Sequence, residues 1–258
     1  MKPDYKNWVP KGMMLIMLII SAVLLTCFLL FGVCGIGVQG VFRLMLGVLL
    51  GIAFLICGGC AAWCVCAYRS FSYSGKRRLS KQIVEGTAKY IRLPDKGRGL
   101  DVGCGSGALT IACAKGNPQG EMVGIDRWGK EYASFNKSLC ESNAAAEEVK
   151  NTCFLSGNAV LLDFPDESFD AVTSNFARAD KQALLMETLR VLKKGGVFAI
   201  HDLMSPTRYG NMQMFVERLK EQGYEQVELI DTTKGMFMSP KEAKWLMLRG
   251  SALIVGKK

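Results

Sequence analysis

A glycine-rich turn between a predicted strand and a predicted helix constrains the fold of this chain more than any other feature. Residues 100–107 read Leu-Asp-Val-Gly-Cys-Gly-Ser-Gly, and the helix-like residues 108–115 follow directly. Three glycines at alternate positions let the backbone adopt positive φ angles and let a ligand lie against the main chain. The N–H groups at the start of the next helix then face that ligand. The pattern therefore predicts a strand–turn–helix unit that binds a nucleotide-like molecule.

A second strand-like run, residues 122–126, ends in Asp126 about 20 residues after the glycines, where a carboxylate accepts hydrogen bonds from ribose hydroxyls. Two ligand classes compete for this pattern, nicotinamide dinucleotides and S-adenosylmethionine. A pyrophosphate binder has the spacing G-x-G-x-x-G. Here the spacing is G-x-G-x-G, with Asp101 before the first glycine. An acid there repels a pyrophosphate and attracts a cationic amino acid group, so the spacing favours S-adenosylmethionine.

Four segments, in this order along the chain, resemble class I S-adenosylmethionine-dependent methyltransferases. They are residues 101–107, Asp126, residues 157–170 and residues 189–196, and the similarity extends over residues 76–258. Within this family, the sequence as a whole resembles the branch that methylates small molecules and quinones. The resemblance implies an enzyme that uses S-adenosylmethionine. It also implies an α/β fold with a Rossmann-like doubly wound, mostly parallel seven-stranded sheet whose last strand is antiparallel.

Strand-like and helix-like segments alternate from residue 100 to the end of the chain, which independently favours a doubly wound sheet. Strands are expected near residues 99–102, 121–126, 152–156, 169–174, 196–202, 225–231 and 251–256. Helices are expected near residues 80–91, 107–116, 129–146, 179–193, 206–222 and 239–248.

The resemblance implies that the cofactor contacts lie at the ends of the first strands. Asp101 is expected to face the amino group of the cofactor, and Asp126 its ribose hydroxyls. Asn158 stands where the family commonly has aspartate, and its carbonyl oxygen can still accept from the adenine amino group. The predicted cofactor-binding residues are Asp101, Gly103, Cys104, Gly105, Gly107, Asp126, Arg127, Asn158, Ala159 and Ser174.

The acceptor side of the predicted site departs from the family pattern. The family usually has aromatic or histidine residues in a loop after strand four, but residues 173–181 lead almost directly into the next helix and contain no histidine. His201, the only histidine, lies at the expected end of strand five. Because histidine titrates near neutral pH, His201 is the one predicted catalytic residue, with a packed structural histidine as the alternative.

Three functional hypotheses follow from these patterns. The leading one is a methyltransferase that modifies a small molecule. The short loop after strand four motivates the second hypothesis, a scaffold or pseudoenzyme that binds the cofactor but has lost methyl transfer. A nicotinamide-dependent reductase is disfavoured by the glycine spacing.

Two long uncharged stretches, residues 12–42 and 44–68, precede the predicted α/β domain. Each exceeds the ~20 residues that a helix needs to cross ~30 Å of hydrocarbon. A cleavable signal peptide would explain only the first stretch, which is longer than the usual apolar core of ~7–15 residues and lacks an A-x-A-like site after it. The sequence therefore predicts a transmembrane hairpin over residues 1–68, a linker over 69–79 and the methyltransferase-like domain over 80–258.

Basic residues flank this hairpin on its outer sides. They are Lys2, Lys6 and Lys11 before the first stretch and Arg69, Lys76, Arg77, Arg78 and Lys81 after the second. The positive-inside rule then predicts a multi-pass membrane protein with its catalytic domain in the cytoplasm. Much of the net charge of +9 lies in these flanks, where anionic lipid attracts it. A nucleic acid is therefore a disfavoured partner, and a small-molecule or lipid-like methyl acceptor is the expected one.

The ten cysteines favour neither a disulfide scaffold nor a metal site. Six lie inside the uncharged stretches, and the other four are scattered through a domain expected in the cytosol, where thiols stay reduced. The one metal-like cluster is Cys57, Cys60, Cys64 and Cys66, and small buried apolar side chains are its better interpretation. No sequence feature points to a particular oligomeric state.

Overall fold

A computed structural model describes residues 2–129, 134–177 and 179–258 of the chain. They divide into two compact units, one of residues Asn7–Lys81 and one that joins the N-terminal residues through Lys6 to Gln82–Lys258. This division differs from the sequence-based one in the N-terminal residues, which group with the α/β unit. The predicted boundaries at residues 68 and 80 stay predictions.

The unit of residues Asn7–Lys81 contains two long helices. Helix α1 (Lys11–Cys27) continues as a π-helical turn (Phe28–Val33), and α2 covers Gly40–Phe71. Judged by length and composition within the described residues, Lys11–Val33 and Gly40–Phe71 are both apolar enough to cross a membrane.

These two helices approach each other backbone to backbone. A Cβ atom added at Gly32 would lie 2.8 Å from the Cα of Gly47, so this approach requires glycine. Arg43, in the first turn of α2, donates to the carbonyl oxygens of Gly32 and Val33 at the end of the π-helical turn. The guanidinium thereby satisfies carbonyl groups that a helix end leaves without partners.

The α/β unit is built on a seven-stranded sheet with the strand order β3-β2-β1-β4-β5-β7-β6. The strands are β1 Arg98–Val102, β2 Glu121–Asp126, β3 Thr152–Ser156, β4 Phe169–Asn175, β5 Leu192–Leu203, β6 Glu225–Asp231 and β7 Ser251–Lys257. Strands β1 to β5 pair in parallel, and β7 pairs antiparallel with both β5 and β6. The prediction of a doubly wound, mostly parallel seven-stranded sheet is confirmed.

One helix precedes these strands and the others connect them. They are α3 Leu79–Ala88, α4 Ala108–Gly116, α5 Lys137–Ala146, α6 Lys181–Val191, α7 Pro206–Tyr209, α8 Met212–Glu221 and α9 Pro240–Trp245. The predicted helix over 206–222 is interrupted because Gly210 has a φ of +69° and the Asn211 side chain caps α8. The predicted helix over 129–146 begins at Lys137, and residues 130–133 lie outside the described part of the chain.

The order of the strands determines where a ligand fits. Strands β1 and β4 are neighbours, and the chain runs outward from β1 through β2 to β3 on one side and from β4 to β5 on the other. Such a reversal opens a crevice beyond the C-terminal ends of the two central strands, where doubly wound folds bind ligands. Buried side chains of the core, among them Leu100, Ile125, Phe169 and Phe198, hold the strands that lead into this crevice.

Candidate cofactor site

The glycine-rich turn connects β1 to α4 at this C-terminal edge. Gly103, Gly105 and Gly107 have φ angles of +79°, +57° and +79°, which side chains with a Cβ rarely adopt. A Cβ at Gly103 would lie 2.7 Å from the Cβ of Ala177. Apart from its neighbours in the chain, no described residue has an atom within 4 Å of a Cβ at Gly105. Gly103 therefore permits close packing of the segment after β4, and Gly105 borders open space that a ligand can occupy.

Asp126, at the end of β2, directs its carboxylate at this turn. Its Oδ2 accepts a hydrogen bond from the N–H of Gly105 at 2.9 Å, and its Oδ1 accepts from the N–H of Trp128 at 3.0 Å. A carboxylate oxygen can accept two hydrogen bonds, so both oxygens retain capacity for a ribose diol. The two elements that the sequence predicts to act together are therefore in direct contact.

Trp128 also contacts the turn, through its indole Nε1, which donates to the carbonyl oxygen of Gly105 at 3.0 Å. The backbone of Trp128 has a φ of +42°, an unusual value for a residue with a side chain. Arg127, the predicted cofactor residue beside it, is exposed. A single tryptophan after a strand is as typical of an ordinary core as of a site, so the sequence alone carries no signal of the indole contact to Gly105.

Asp101 is buried beneath the turn, with 1% of its surface exposed. Its Oδ2 accepts a hydrogen bond from the Thr110 hydroxyl on α4 at 2.6 Å, while its Oδ1 has no hydrogen-bond partner among the described residues. Burial raises the pKa of Asp101 to about 7, and the Thr110 hydrogen bond opposes this rise. A buried oxygen without a partner costs ~1–3 kcal/mol, and a cationic ligand group would remove that cost.

The remaining predicted contacts are spread along the same edge of the sheet. Cys104 is buried in the turn, and burial raises the pKa of its thiol, so this cysteine stays protonated. Ser174 donates its hydroxyl to the carbonyl oxygen of Val102, which connects the ends of β4 and β1. Asn158 and Ala159 follow β3, and the Asn158 side chain accepts from the N–H of Val160 at 3.2 Å.

His201 lies inside the sheet rather than at an open edge, with 0% of its surface exposed. Its Nδ1 is 2.8 Å from the Asn175 side-chain oxygen, and its Nε2 is 2.9 Å from the Ser251 hydroxyl. The rings of Phe176 and Phe237 meet the imidazole nearly at right angles, at centroid distances of 4.9 and 5.5 Å. Burial lowers the pKa of His201 to about 3, so the ring is neutral. A catalytic role for His201 stays a prediction, and this position favours the packed alternative.

The segment after β4 is short, as the sequence indicates: β4 ends at Asn175 and α6 begins at Lys181. The Lys181 ammonium donates to the carbonyl oxygen of Ala177 at 2.5 Å and to Asp202 Oδ2 at 2.6 Å. The Tyr209 hydroxyl donates to the same Asp202 oxygen at 2.9 Å. This ion pair, in which Asp202 is buried and Lys181 is partly buried, fixes the segment against the end of β5.

Metal ligands are not grouped in the described parts of the chain: no three or more His, Cys, Asp or Glu side chains there are placed to hold a metal ion.

A family model described as a methyltransferase domain matches residues 94–248. A demethylmenaquinone methyltransferase of Geobacillus stearothermophilus is 34% identical over 122 residues, which are 46% of this chain and 50% of that protein. A protein of the same name from Listeria monocytogenes serotype 4a is 32% identical over 133 residues, which are 50% of this chain and 54% of that protein. The chain spans about half the length of these curated relatives.

Solved structures with the same fold include geranyl diphosphate C-methyltransferase from Streptomyces coelicolor A3(2), in complex with Mg²⁺, geranyl diphosphate and S-adenosyl-L-homocysteine. Its TM-score is 0.54 at 13% identity, covering 74% of this chain and 83% of that one. The cyclase SpnF has a TM-score of 0.54 at 19% identity, covering 72% and 85% of the two chains. At these identities the likeness concerns the fold.

Proposed function

This chain belongs to the methyltransferase domain family, and we propose that it is a membrane-tethered S-adenosylmethionine-dependent methyltransferase whose acceptor is a lipophilic, quinol-like small molecule. One observation carries the proposal: the Asp126 carboxylate lies 2.9 Å from the N–H of Gly105, at the open side of the glycine turn. An acid in this position suits a ribose diol, because ionised acceptors make hydrogen bonds of ~1.5–3 kcal/mol.

The residues around the turn fit the cofactor in charge and in shape. S-adenosylmethionine supplies an activated methyl group on a positively charged sulfur. Asp101 would bind the cofactor's amino group through its buried Oδ1, which lacks a hydrogen-bond partner within the described part of the chain. Gly105 leaves room for the nucleoside. Methyl transfer depends chiefly on alignment, which contributes ~7–11 kcal/mol, so this site needs no catalytic triad.

A lipophilic acceptor is supported by two independent features. Relatives at 32–34% identity are named demethylmenaquinone methyltransferases. The chain also carries two helices long and apolar enough to cross a membrane, with basic residues on their outer flanks. If both helices span the bilayer, the positive-inside rule puts the methyltransferase unit on the cytoplasmic side, where it can reach a membrane-dissolved quinol.

Calorimetry and a transfer assay on the full-length protein in detergent test this function. We expect S-adenosylhomocysteine to bind the wild type and to bind Asp126→Ala at least tenfold more weakly, because the ribose loses its acceptor. Glu121→Ala is the matched control, since Glu121 is an exposed acid at the other end of the same strand and pairs with Arg98. Labelled methyl transfer to a demethylmenaquinol analogue completes the test. Absence of cofactor binding, or equal binding by Asp126→Ala, contradicts the proposal.

A cofactor-binding scaffold without transferase activity is the second candidate. It is favoured by the short segment after β4, in which Ala177 packs against Gly103 and Lys181 is paired with Asp202. A screen of quinols, phenols, amines and thiols with labelled S-adenosylmethionine separates the two candidates. Transfer to any acceptor excludes the scaffold, whereas binding without transfer to any of them supports it.

A further inference from the structure

The N-terminal segment, residues 2–6, is bound to the α/β unit through Asn143 on α5. The backbone N–H of Asp4 donates to Asn143 Oδ1 at 2.7 Å, and Asn143 Nδ2 donates back to the carbonyl oxygen of Asp4 at 3.0 Å. Asn143 is 2% exposed. The Asn143 amide thus pairs with both backbone polar groups of Asp4, which lies 139 positions away in the chain. Because a buried polar group left without a partner costs free energy, this pairing fixes the position of Asp4.

The same asparagine connects the segment to the glycine turn. Asn143 Nδ2 also donates to the carbonyl oxygen of Ser106 at 3.0 Å, and Ser106 lies between Gly105 and Gly107. The Ser106 hydroxyl in turn donates to the carbonyl oxygen of Tyr5 at 3.0 Å. The carbonyl oxygen of Ser106 is therefore bonded to Asn143, and its hydroxyl is bonded to the N-terminal segment.

Tyr5 anchors the end of the segment. Its side chain is buried, and its hydroxyl donates to Glu147 Oε1 at 3.1 Å, just beyond the end of α5. Burying a tyrosine ring contributes several times the energy of a single hydrogen bond. The segment is therefore held by its backbone at Asp4 and by its side chain at Tyr5.

The turn needs such support because it contains three glycines. Glycine loses more conformational entropy on ordering than any other residue, and a binding loop that is already ordered in the free protein binds its ligand more tightly. Asp126 and Trp128 hold the turn at Gly105, on the ligand side. Asn143 and the N-terminal segment hold it at Ser106.

We propose that Asn143, Ser106 and the N-terminal segment are positioning elements of the cofactor site, which order the glycine turn without touching the ligand. This inference rests on the proposed function, because it takes the glycine turn to be part of the cofactor site. It gives the residues that precede the first long helix a role in cofactor affinity.

Asn151 provides a matched control within the same unit. Its Nδ2 donates to three carbonyl oxygens, those of Ala114, Asn117 and Gly120, at 2.8–3.1 Å. These groups lie at the far end of α4, away from the glycine turn. Asn143→Ala and Asn151→Ala each remove a bridging amide, but only Asn143→Ala should affect cofactor affinity.

The test uses full-length protein in detergent and measures the Kd for S-adenosylhomocysteine and hydrogen exchange of residues 103–107. We expect Asn143→Ala, Ser106→Ala and deletion of residues 2–5 each to raise the Kd by roughly three- to tenfold and to speed exchange in the turn. Asn151→Ala should leave both unchanged. The effects of Asn143→Ala and of the deletion should be less than additive, because both remove the same contacts.

The outcomes distinguish this inference from the proposed function. If the wild type binds the cofactor but the deletion, Ser106→Ala and Asn143→Ala bind as tightly as Asn151→Ala, the inference is wrong and the proposed function stands. If the wild type does not bind S-adenosylhomocysteine, the proposed function fails. The hydrogen-exchange rates of residues 103–107 then test the positioning role alone, and unchanged exchange in the deletion variant overturns it.

Discussion

The hydroxyl of Thr110 lies 2.6 Å from one carboxylate oxygen of Asp101, and the other oxygen of this buried acid has no partner among the residues that the structure describes. Helix α4 thus satisfies one oxygen of the carboxylate, and the other is buried without a partner among those residues. Because burial raises the pKa of Asp101 to about 7, the charge of this group depends on pH in the range where the protein would work.

Cofactor affinity should therefore depend on pH. Below pH 7 the free protein holds Asp101 protonated, and a cationic amino group binds better to the ionised form, so binding releases a proton. Affinity should rise as the pH increases to about 7 and fall again above about 8, where an α-amino group loses its own proton. Calorimetry at pH 6.5 in two buffers of different ionisation enthalpy measures the released proton. Asp101→Asn should bind weakly and release none.

Two alanine substitutions in the turn should have different effects. A Cβ at Gly105 meets no atom of the described residues within 4 Å apart from its neighbours in the chain, so Gly105→Ala should cost only about 1–2 kcal/mol for its positive φ. It should nevertheless strongly weaken cofactor binding by filling the ligand's space. Gly103→Ala places a methyl group 2.7 Å from the Cβ of Ala177 and should destabilise the protein more. Thermal unfolding and the Kd for S-adenosylhomocysteine measure both effects. Equal losses of stability and affinity in the two variants would contradict the assignment of open space to Gly105.

Much of the fold follows from local sequence signals. Strands such as β2 and β3 are short apolar runs between turn residues, the pattern of buried parallel strands, and their predicted bounds match the structure. Strand β5 begins at Leu192, before the predicted residue 196, because Leu192 pairs with Phe169 ahead of a register shift. The Lys-Lys-Gly-Gly sequence between these positions has the composition of a turn.

The site was less predictable where contacts join distant parts of the chain. Asp126 and the glycines follow a spacing pattern, and the structure brings them together. The pairing of Asp4 with Asn143 spans 139 residues and leaves no local pattern. The burial of His201 depends on Ser251 and Phe237, which come from later elements, so its position at a strand end could not reveal its surroundings.

Replacing His201 should reduce stability more than catalysis. His201→Gln loses hydrogen bonds to Asn175 and Ser251 and should cost ~1–3 kcal/mol of unfolding free energy. The kcat for methyl transfer by the folded fraction should stay close to wild type. A fall of 10²-fold or more, without loss of cofactor affinity, would instead support a role in proton transfer.

The pH dependence of stability reports on the same histidine. The pKa of His201 is about 3 in the folded protein and ~6.5 in the unfolded chain, which therefore binds more protons below pH 6.5. The contribution of neutral His201 is fully present above pH 6.5 and is lost as the pH falls toward 3, by at most about 1.4 kcal/mol per pH unit. Asp101, whose pKa is raised to about 7 in the folded protein, contributes a slope of opposite sign in the same range, in the wild type and in His201→Gln alike. Urea unfolding between pH 5 and 7 should therefore show the His201 slope as the difference between the wild type and His201→Gln.

The ion pair between Lys181 and Asp202 should be a structural requirement of the short segment after β4. Lys181→Met leaves the buried Asp202 carboxylate with two donors among the described residues, the Tyr209 hydroxyl and the backbone N–H of Leu203. Breaking such a pair typically costs ~3–5 kcal/mol. Adding Asp202→Asn removes the uncompensated charge, so the double variant should recover part of that loss. Urea unfolding of both variants measures the recovery. A double variant no more stable than Lys181→Met would mean that the lysine acts through its bond to Ala177 and not through the charge of Asp202.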